Sequence, residues 1–262
     1  MHNTKNFYYT KKLLDSQVTL YNQLEFIETD PIQIPHRFTR KEDIEIAGFL
    51  TATISWGQRK SILKNANSLM ELMENSPYQF IMETDASDWK ELSNFVHRTF
   101  NGQDCQFFLK ALRYIYNEQG GLESVFTKGY EIDKTIFSAL KYFREIFLSI
   151  PYEQRVKKHL SDVNANSAAK RLNMFLRWMV RSDENSVDFG IWKNIPPSAL
   201  MLPLDTHSGN VARALGLLKR SQNDWKAVEE ITAILRTFDQ TDPVKYDYAL
   251  FGAGVFNNIK MI

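Results

Sequence analysis

The sequence predicts an all-α protein, and three observations carry that prediction. Apolar residues recur at helical spacing along most of the chain. Strand character is confined to short patches such as Val18-Thr19-Leu20-Tyr21. The breaks Gly57, Gly120-Gly121 and Pro151 fall between the apolar stripes and not inside them.

Taken in order, Ile44, Ala47, Leu50 and Ile54 form a first stripe, and Ile62, Ala66, Leu69 and Met73 a second, with Gly57 in SWGQRK as the break between them. Phe107, Phe108, Ala111, Leu112 and Ile115 predict a third helix closed by Gly120-Gly121. Ile136, Leu140, Phe143 and Phe147 predict a fourth that stops before Pro151. LNMFLRWMV, from Leu172 to Val180, is apolar nearly all round, which requires a central, buried helix. Val211, Ala214, Leu215 and Leu218 follow, then Val228, Ile231 and Leu235, then a last segment after Asp242-Pro243. The stretch from Ser182 to Pro203 reads as a long connection or lobe boundary. The expected organisation is one helical barrel lobe over 41–181, including a hairpin-like segment at 164–180. Residues 1–40 together with 182–262 form the second lobe, with a cleft between the two.

Composition narrows the function. The chain has 262 residues, 44% hydrophobic and 24% charged, as globular proteins do. No apolar run approaches the roughly 20 residues of a membrane span, and the N-terminal sequence has no secretory h-region. A single cysteine, Cys105, excludes a disulfide framework and a four-cysteine metal centre. The expectation is a cytoplasmic, nucleoid-associated monomer without metal or organic cofactor. Net charge is +1, so a surface for a polyanion has to be local. Between Arg155 and Arg181 seven cations (Arg155, Lys157, Lys158, Lys170, Arg171, Arg177, Arg181) face one acid, Asp162. That run reads either as a solvated basic face or as a nucleic-acid surface.

Two segments carry the chemistry. In NANSAAKRLNMFLRWMV, residues 164–180, Ser167 is the expected N-cap of a helix beginning with Ala168, Ala169 and Lys170. A turn of small residues into a helix N-terminus presents backbone N–H groups to a phosphate, and Lys170 sits beside it. In LPLDTHSGNVARALGLL, residues 202–218, Asp205 precedes a helical stripe. Read alone it is a capping aspartate.

LPLDTHSGNVARALGLL resembles the V-D-T-H-x-x-R-V-x-x-R-x-G segment of the helix-hairpin-helix glycosylase superfamily, which contains endonuclease III, adenine glycosylases and oxoguanine glycosylases. NANSAAKRLNMFL is similar to the family's L-P-G-V-G-R-K-T-A-N-V-V-L, and LTATISWGQRKSI to its L-S-A-Q-T-x-D-x-x-V. The order of helices resembles the archaeal oxoguanine glycosylases, as does KYDYALFGAG beside their D-x-x-L-W-x-x-G. Over nearly its full length the chain also resembles an uncharacterised bacterial family common in Bacteroidetes, through PHRF, SWGQR, KRLNMFLRWMVR, PLDTH and DPVKYD. The departures are an altered hairpin, N-S-A or S-A-A for G-V-G, and a spacing of 35 residues from Lys170 to Asp205, longer than in endonuclease III-like members.

The resemblance implies a base-excision DNA glycosylase with AP lyase activity, acting on double-stranded DNA that carries a damaged base, an oxidised purine by the archaeal likeness. Lys170 would be the amine nucleophile and Asp205 its carboxylate partner. Gln58 would fill the gap left by the extruded base. Arg59, Ser167, Arg171 and His207 would contact DNA, and Trp56, Trp178, Trp192 and Phe251 would supply aromatic walls for the base. Burial against LNMFLRWMV and the positive end of the helix favour the uncharged amine that attack requires. Two other readings stay open: a non-catalytic DNA-binding member of the same fold, and a helical interaction protein whose D-T-H is only a helix cap.

Overall fold

The computed structural model describes residues 2–85 and 87–256. Twelve α-helices are found among them: α1 (His2–Tyr21), α2 (Glu25–Thr29), α3 (Lys41–Ile54), α4 (Arg59–Leu72), α5 (Pro77–Glu83), α6 (Gly102–Tyr114), α7 (Leu122–Glu131), α8 (Ile136–Phe147), α9 (Lys170–Val180), α10 (Thr206–Ala214), α11 (Trp225–Phe238) and α12 (Tyr246–Phe256). One two-stranded antiparallel hairpin, β1 (Val96–His97) and β2 (Phe100–Asn101), lies between α5 and α6. The protein is predominantly helical, as its periodicity requires. No helix among the described residues is long and apolar enough to cross a membrane.

The chain divides into two compact units, residues 27–162 and residues 1–26 with 163–262. The division falls before the 164–180 segment, whereas the sequence placed it after 181. The reason is local. Trp225 N donates to Asn166 O at 3.1 Å, and Asn166 Nδ2 donates to Asp224 Oδ2 at 2.8 Å. These bonds tie the turn before α9 to the start of α11. Residues 182–203 lack an α-helix, as expected, but they are packed and not a boundary: Phe189 and Trp192 donate backbone hydrogen bonds to Trp178 O and Met179 O on α9 at 2.8 and 2.9 Å.

The 27–162 unit has a phenylalanine core. Phe126 stacks on Phe143 with centroids 4.4 Å apart, Phe49 packs edge-on to Phe143 at 5.5 Å, and Phe108 edge-on to Phe147 at 4.9 Å. Each buried Phe side chain contributes about 1.5–3 kcal/mol. α6 begins with a capping box in which the Asn101 and Asp104 side chains each accept the other's backbone N–H. α7 has no counterpart in the stripes read from sequence. The PHRF stretch begins with a 3-10 turn, Pro35–Arg37, directly after another at Pro31–Gln33, and Arg37 reaches Asn67 Oδ1 at 2.6 Å and Asn75 Oδ1 at 2.5 Å.

In the other unit α9 is the central element, and every residue from Leu172 to Val180 is buried. α1 and α10 both pack on α12. Val18–Tyr21, read as strand-like, is the last turn of α1, because packing along α12 overrides the β propensity of a short run.

Candidate active site

α9 starts two residues later than Ser167 capping would give. Its N-cap is Ala169, in the left-handed conformation at φ 47°, and Ala169 O accepts the first helical bond from Asn173 N at 2.9 Å. Ser167 Oγ instead accepts from Ala169 N at 3.3 Å inside the turn. The turn therefore runs two residues further than a Ser cap allows, and Lys170 becomes the first helical residue. Asp224 holds the turn in place. It accepts from Asn166, caps α11 through Ala227 N at 3.1 Å, and is drawn down to about 2 chiefly by its hydrogen bond from Arg220.

Asp205 is the N-cap of α10, as the capping reading requires. Its Oδ1 accepts from Ser208 N at 3.0 Å, and Ser208 Oγ accepts from Asp205 N at 3.0 Å. Asn223 Nδ2 donates to Asp205 O at 3.0 Å and fixes the backbone. Oδ2 is left over, and Lys170 Nζ lies 4.0 Å from it. The two side chains are 27% and 22% exposed, so both are open to an incoming molecule. The other neighbour of Lys170 Nζ is Met174 Sδ at 3.6 Å, one turn along α9 and a weak acceptor. At 4.0 Å the amine and the carboxylate stop short of a direct hydrogen bond. The arrangement places an amino group and a carboxylate side by side.

A third charged group, which the sequence did not single out, belongs to this neighbourhood. Asp247, in the first turn of α12, interacts electrostatically with both Asp205 and Lys170 and forms an ion pair with Arg177. Burial pushes its carboxyl up to about 6, against the pull of Arg177. Arg177 lies seven residues after Lys170, two helical turns on the same face. Its Nε lies 3.2 Å from Asp188 Oδ1. Arg181 continues the ladder, with Asp183 at 2.7 Å, Asp188 at 3.0 Å and Asp242 at 2.9 Å. Both guanidinium groups lie over the Tyr248 ring, at 4.4 and 5.4 Å. Arg177 and Arg181 are thus interior ion-pair residues, which removes them from the basic surface read between 155 and 181. The clue in the sequence was the first position of D-x-x-L-W-x-x-G, which Asp247 occupies.

The remaining site residues are dispersed. Arg171 is partly covered, and burial pulls its guanidinium down to about 10. His207 is exposed on the first turn of α10, packed beside Gly254. Trp178 and Trp192 lie in the core at 0% and 1% exposure, and Trp192 packs edge-on against Phe175 at 5.4 Å. Of the four aromatics expected around a base, only Trp56 and Phe251 keep open surface. Trp56, Gln58 and Arg59 belong to the 27–162 unit. Gln58 precedes α4 with its side chain exposed and not used as a cap. Arg59 is half-buried, 4.0 Å from Asp30 and 3.5 Å from the Thr29 hydroxyl. Among the described residues, no group of three or more His, Cys, Asp or Glu side chains is placed to hold a metal ion.

No curated protein and no solved structure matches the chain. A family model does, over residues 30–256, a span that includes SWGQR, the Lys170 turn, PLDTH and DPVKYD. The chain belongs to the family described as "Protein of unknown function (DUF2400)".

Proposed function

We propose that this protein is a base-excision DNA glycosylase with AP lyase activity, acting on double-stranded DNA that carries a damaged base. The observation that carries the reading is the approach of Lys170 Nζ to Asp205 Oδ2 at 4.0 Å, on side chains that remain partly exposed. An amine next to a carboxylate is the minimum for imine chemistry at a sugar carbon. The turn ahead of α9 adds support. Asn166 stands where the resembled hairpin has its first glycine and adopts φ 62°, a left-handed geometry that Asn tolerates.

In the proposed reaction Lys170 Nζ, as the free amine, attacks C1′ of the extruded nucleotide. The C1′–N bond breaks, and the base leaves with that electron pair and takes up a proton. Asp205 Oδ2 stabilises the cationic sugar and accepts the proton lost from the attacking amine. Ring opening gives the iminium. Loss of a C2′ proton then expels the 3′ phosphate, and hydrolysis frees Lys170. An oxidised purine is the substrate class that the archaeal resemblance favours.

Borohydride trapping on duplexes containing an oxidised purine or an abasic site tests the proposal. A covalent adduct that disappears in Lys170→Ala supports it. Salt-sensitive DNA binding without adduct or base release supports a non-catalytic DNA-binding protein instead. Absence of both removes the nucleic-acid reading.

A further inference from the structure

The turn bearing Trp56, Gly57 and Gln58 is built against a second turn, at the tip of the β1–β2 hairpin, and His97 joins the two. His97 Nε2 lies 3.1 Å from Trp56 O, and Nδ1 lies 2.8 Å from Asn65 Nδ2. The imidazole is 1% exposed and stands edge-on to the Trp56 ring at 4.9 Å. Both bonds are satisfied together only by the neutral ring protonated at Nε2. Burial, and then the charge of Arg98, hold the imidazole below its ordinary pKa, against the bond to Trp56. The two turns thus form one rigid platform within the 27–162 unit.

With His97 turned inward, alternation along β1 turns Val96 outward, and Arg98 follows in the exposed turn. Val96 is 59% exposed, and Arg98 is exposed. Arg98 sits at φ 56°, a left-handed conformation that is uncommon for residues other than Gly, Asn and Asp. Its side chain lies across Gly57, where a Cβ would fall 2.9 Å from Nη1 and 3.3 Å from Cδ. Arg98 forms no hydrogen bond or ion pair among the described residues, whereas nearby Arg59 is engaged with Asp30 and Thr29. A strained backbone thus presents a guanidinium that has no internal acid, on a platform shared with the free side chain of Gln58.

We propose that Arg98 binds a backbone phosphate of the DNA strand that meets the Gln58 turn. The inference rests on the DNA reading above and extends it to a residue that carries no signal in the sequence. A guanidinium fork suits a phosphate, and a side chain already laid along Gly57 loses little freedom on binding. A purely structural Arg98 would instead stabilise the fold through its packing on Gly57.

The test measures binding of wild-type protein, Arg98→Gly, Arg98→Ala and Arg98→Lys to a duplex containing a tetrahydrofuran abasic analogue, across about 50–200 mM salt. Arg98→Gly and Arg98→Ala should each lower the slope of log affinity against log salt by about 0.9, the value of one phosphate contact. Arg98→Lys should keep the wild-type slope. Arg98→Gly should melt at or above the wild-type temperature, because glycine relieves the left-handed strain. A wild-type slope in both Arg98→Gly and Arg98→Ala overturns this inference and leaves the DNA reading standing. Loss of melting temperature in Arg98→Gly without a change of slope also overturns it. Salt-insensitive or absent binding by the wild-type protein overturns both.

Discussion

Asp205 divides its carboxylate between two tasks: Oδ1 closes the capping box with Ser208 at 3.0 Å, and Oδ2 faces Lys170 Nζ at 4.0 Å. Substitution separates the two. Asp205→Asn keeps an acceptor for the Ser208 N–H, so stability should stay within about 1 kcal/mol of wild type. It removes the negative charge, so excision should fall by two orders of magnitude or more, about what loss of a positioned acid–base group costs. Asp205→Ala should lose the cap as well, about 1 kcal/mol in urea unfolding. Normal turnover in Asp205→Asn would contradict the assigned role.

Lys170 is the first residue of α9, so its backbone tolerates replacement. Lys170→Ala should fold and bind duplex DNA, with a salt slope reduced by at most one contact, yet give no borohydride adduct. Gel-resolved trapping beside a binding isotherm checks this. An adduct of undiminished yield in Lys170→Ala would place the nucleophile elsewhere.

Asp247 gives a pH signature. Its folded-state carboxyl is raised to about 6 from 3.8, principally by burial. Between those values the folded protein holds a proton that the unfolded chain has released, so stability falls as pH rises through the window. The shift corresponds to about 3 kcal/mol of differential interaction. Asp247→Asn cannot ionise and should flatten that part of the stability profile, while Arg177 keeps Asp188 as a partner. Urea unfolding at intervals from about pH 4 to pH 7 in the two proteins reads the difference directly. Parallel profiles would assign the slope to another group.

His97 should act in the opposite sense. Its folded-state pKa is lowered from 6.5, first by burial, with the charge of Arg98 adding to it. Below pH 6.5 the unfolded chain gains a proton that the folded protein refuses, so stability falls as pH drops. Protonation also removes the Nδ1 acceptor that Asn65 uses. His97→Gln, with an amide that still offers one donor and one acceptor, should lose this acid-side decline. It should also lose rigidity at the Trp56 turn, seen as faster amide exchange at residues 55–58. An unchanged acid limb in His97→Gln would rule out the neutral strut.

These groups mark where the sequence could and could not be read. Lys170 and Asp205 stood in segments that a resemblance picks out, and α3, α4, α6, α8 and α9 follow from single-face or all-round apolar patterning. α1 escaped because its buried positions Thr10 and Leu14 give no clear apolar stripe. Arg177 and Arg181 read as surface charge because nothing in their local sequence announces Asp188, Asp242 and Asp247, the first 7 and the last 70 residues from the arginine it meets. Arg98 was silent for a similar reason: its backbone is left-handed without the Gly or Asn that signals such a turn.

Gly57 tests the platform from its other side. It has φ 101°, where any Cβ is strained, and a Cβ there would also fall 2.9 Å from Arg98 Nη1. Gly57→Ala should therefore destabilise through two separable causes. The backbone cost, about 1–3 kcal/mol, belongs to residue 57 alone. The crowding belongs to the pair and ends on a movable side chain, so it should be the smaller part. Removing that side chain in Gly57→Ala/Arg98→Ala should recover the crowding and leave the backbone cost. The double mutant should be more stable than the sum of the single effects predicts, with a coupling of about 0.5–1 kcal/mol. Strict additivity would mean that the Arg98 side chain does not lie on Gly57 in solution.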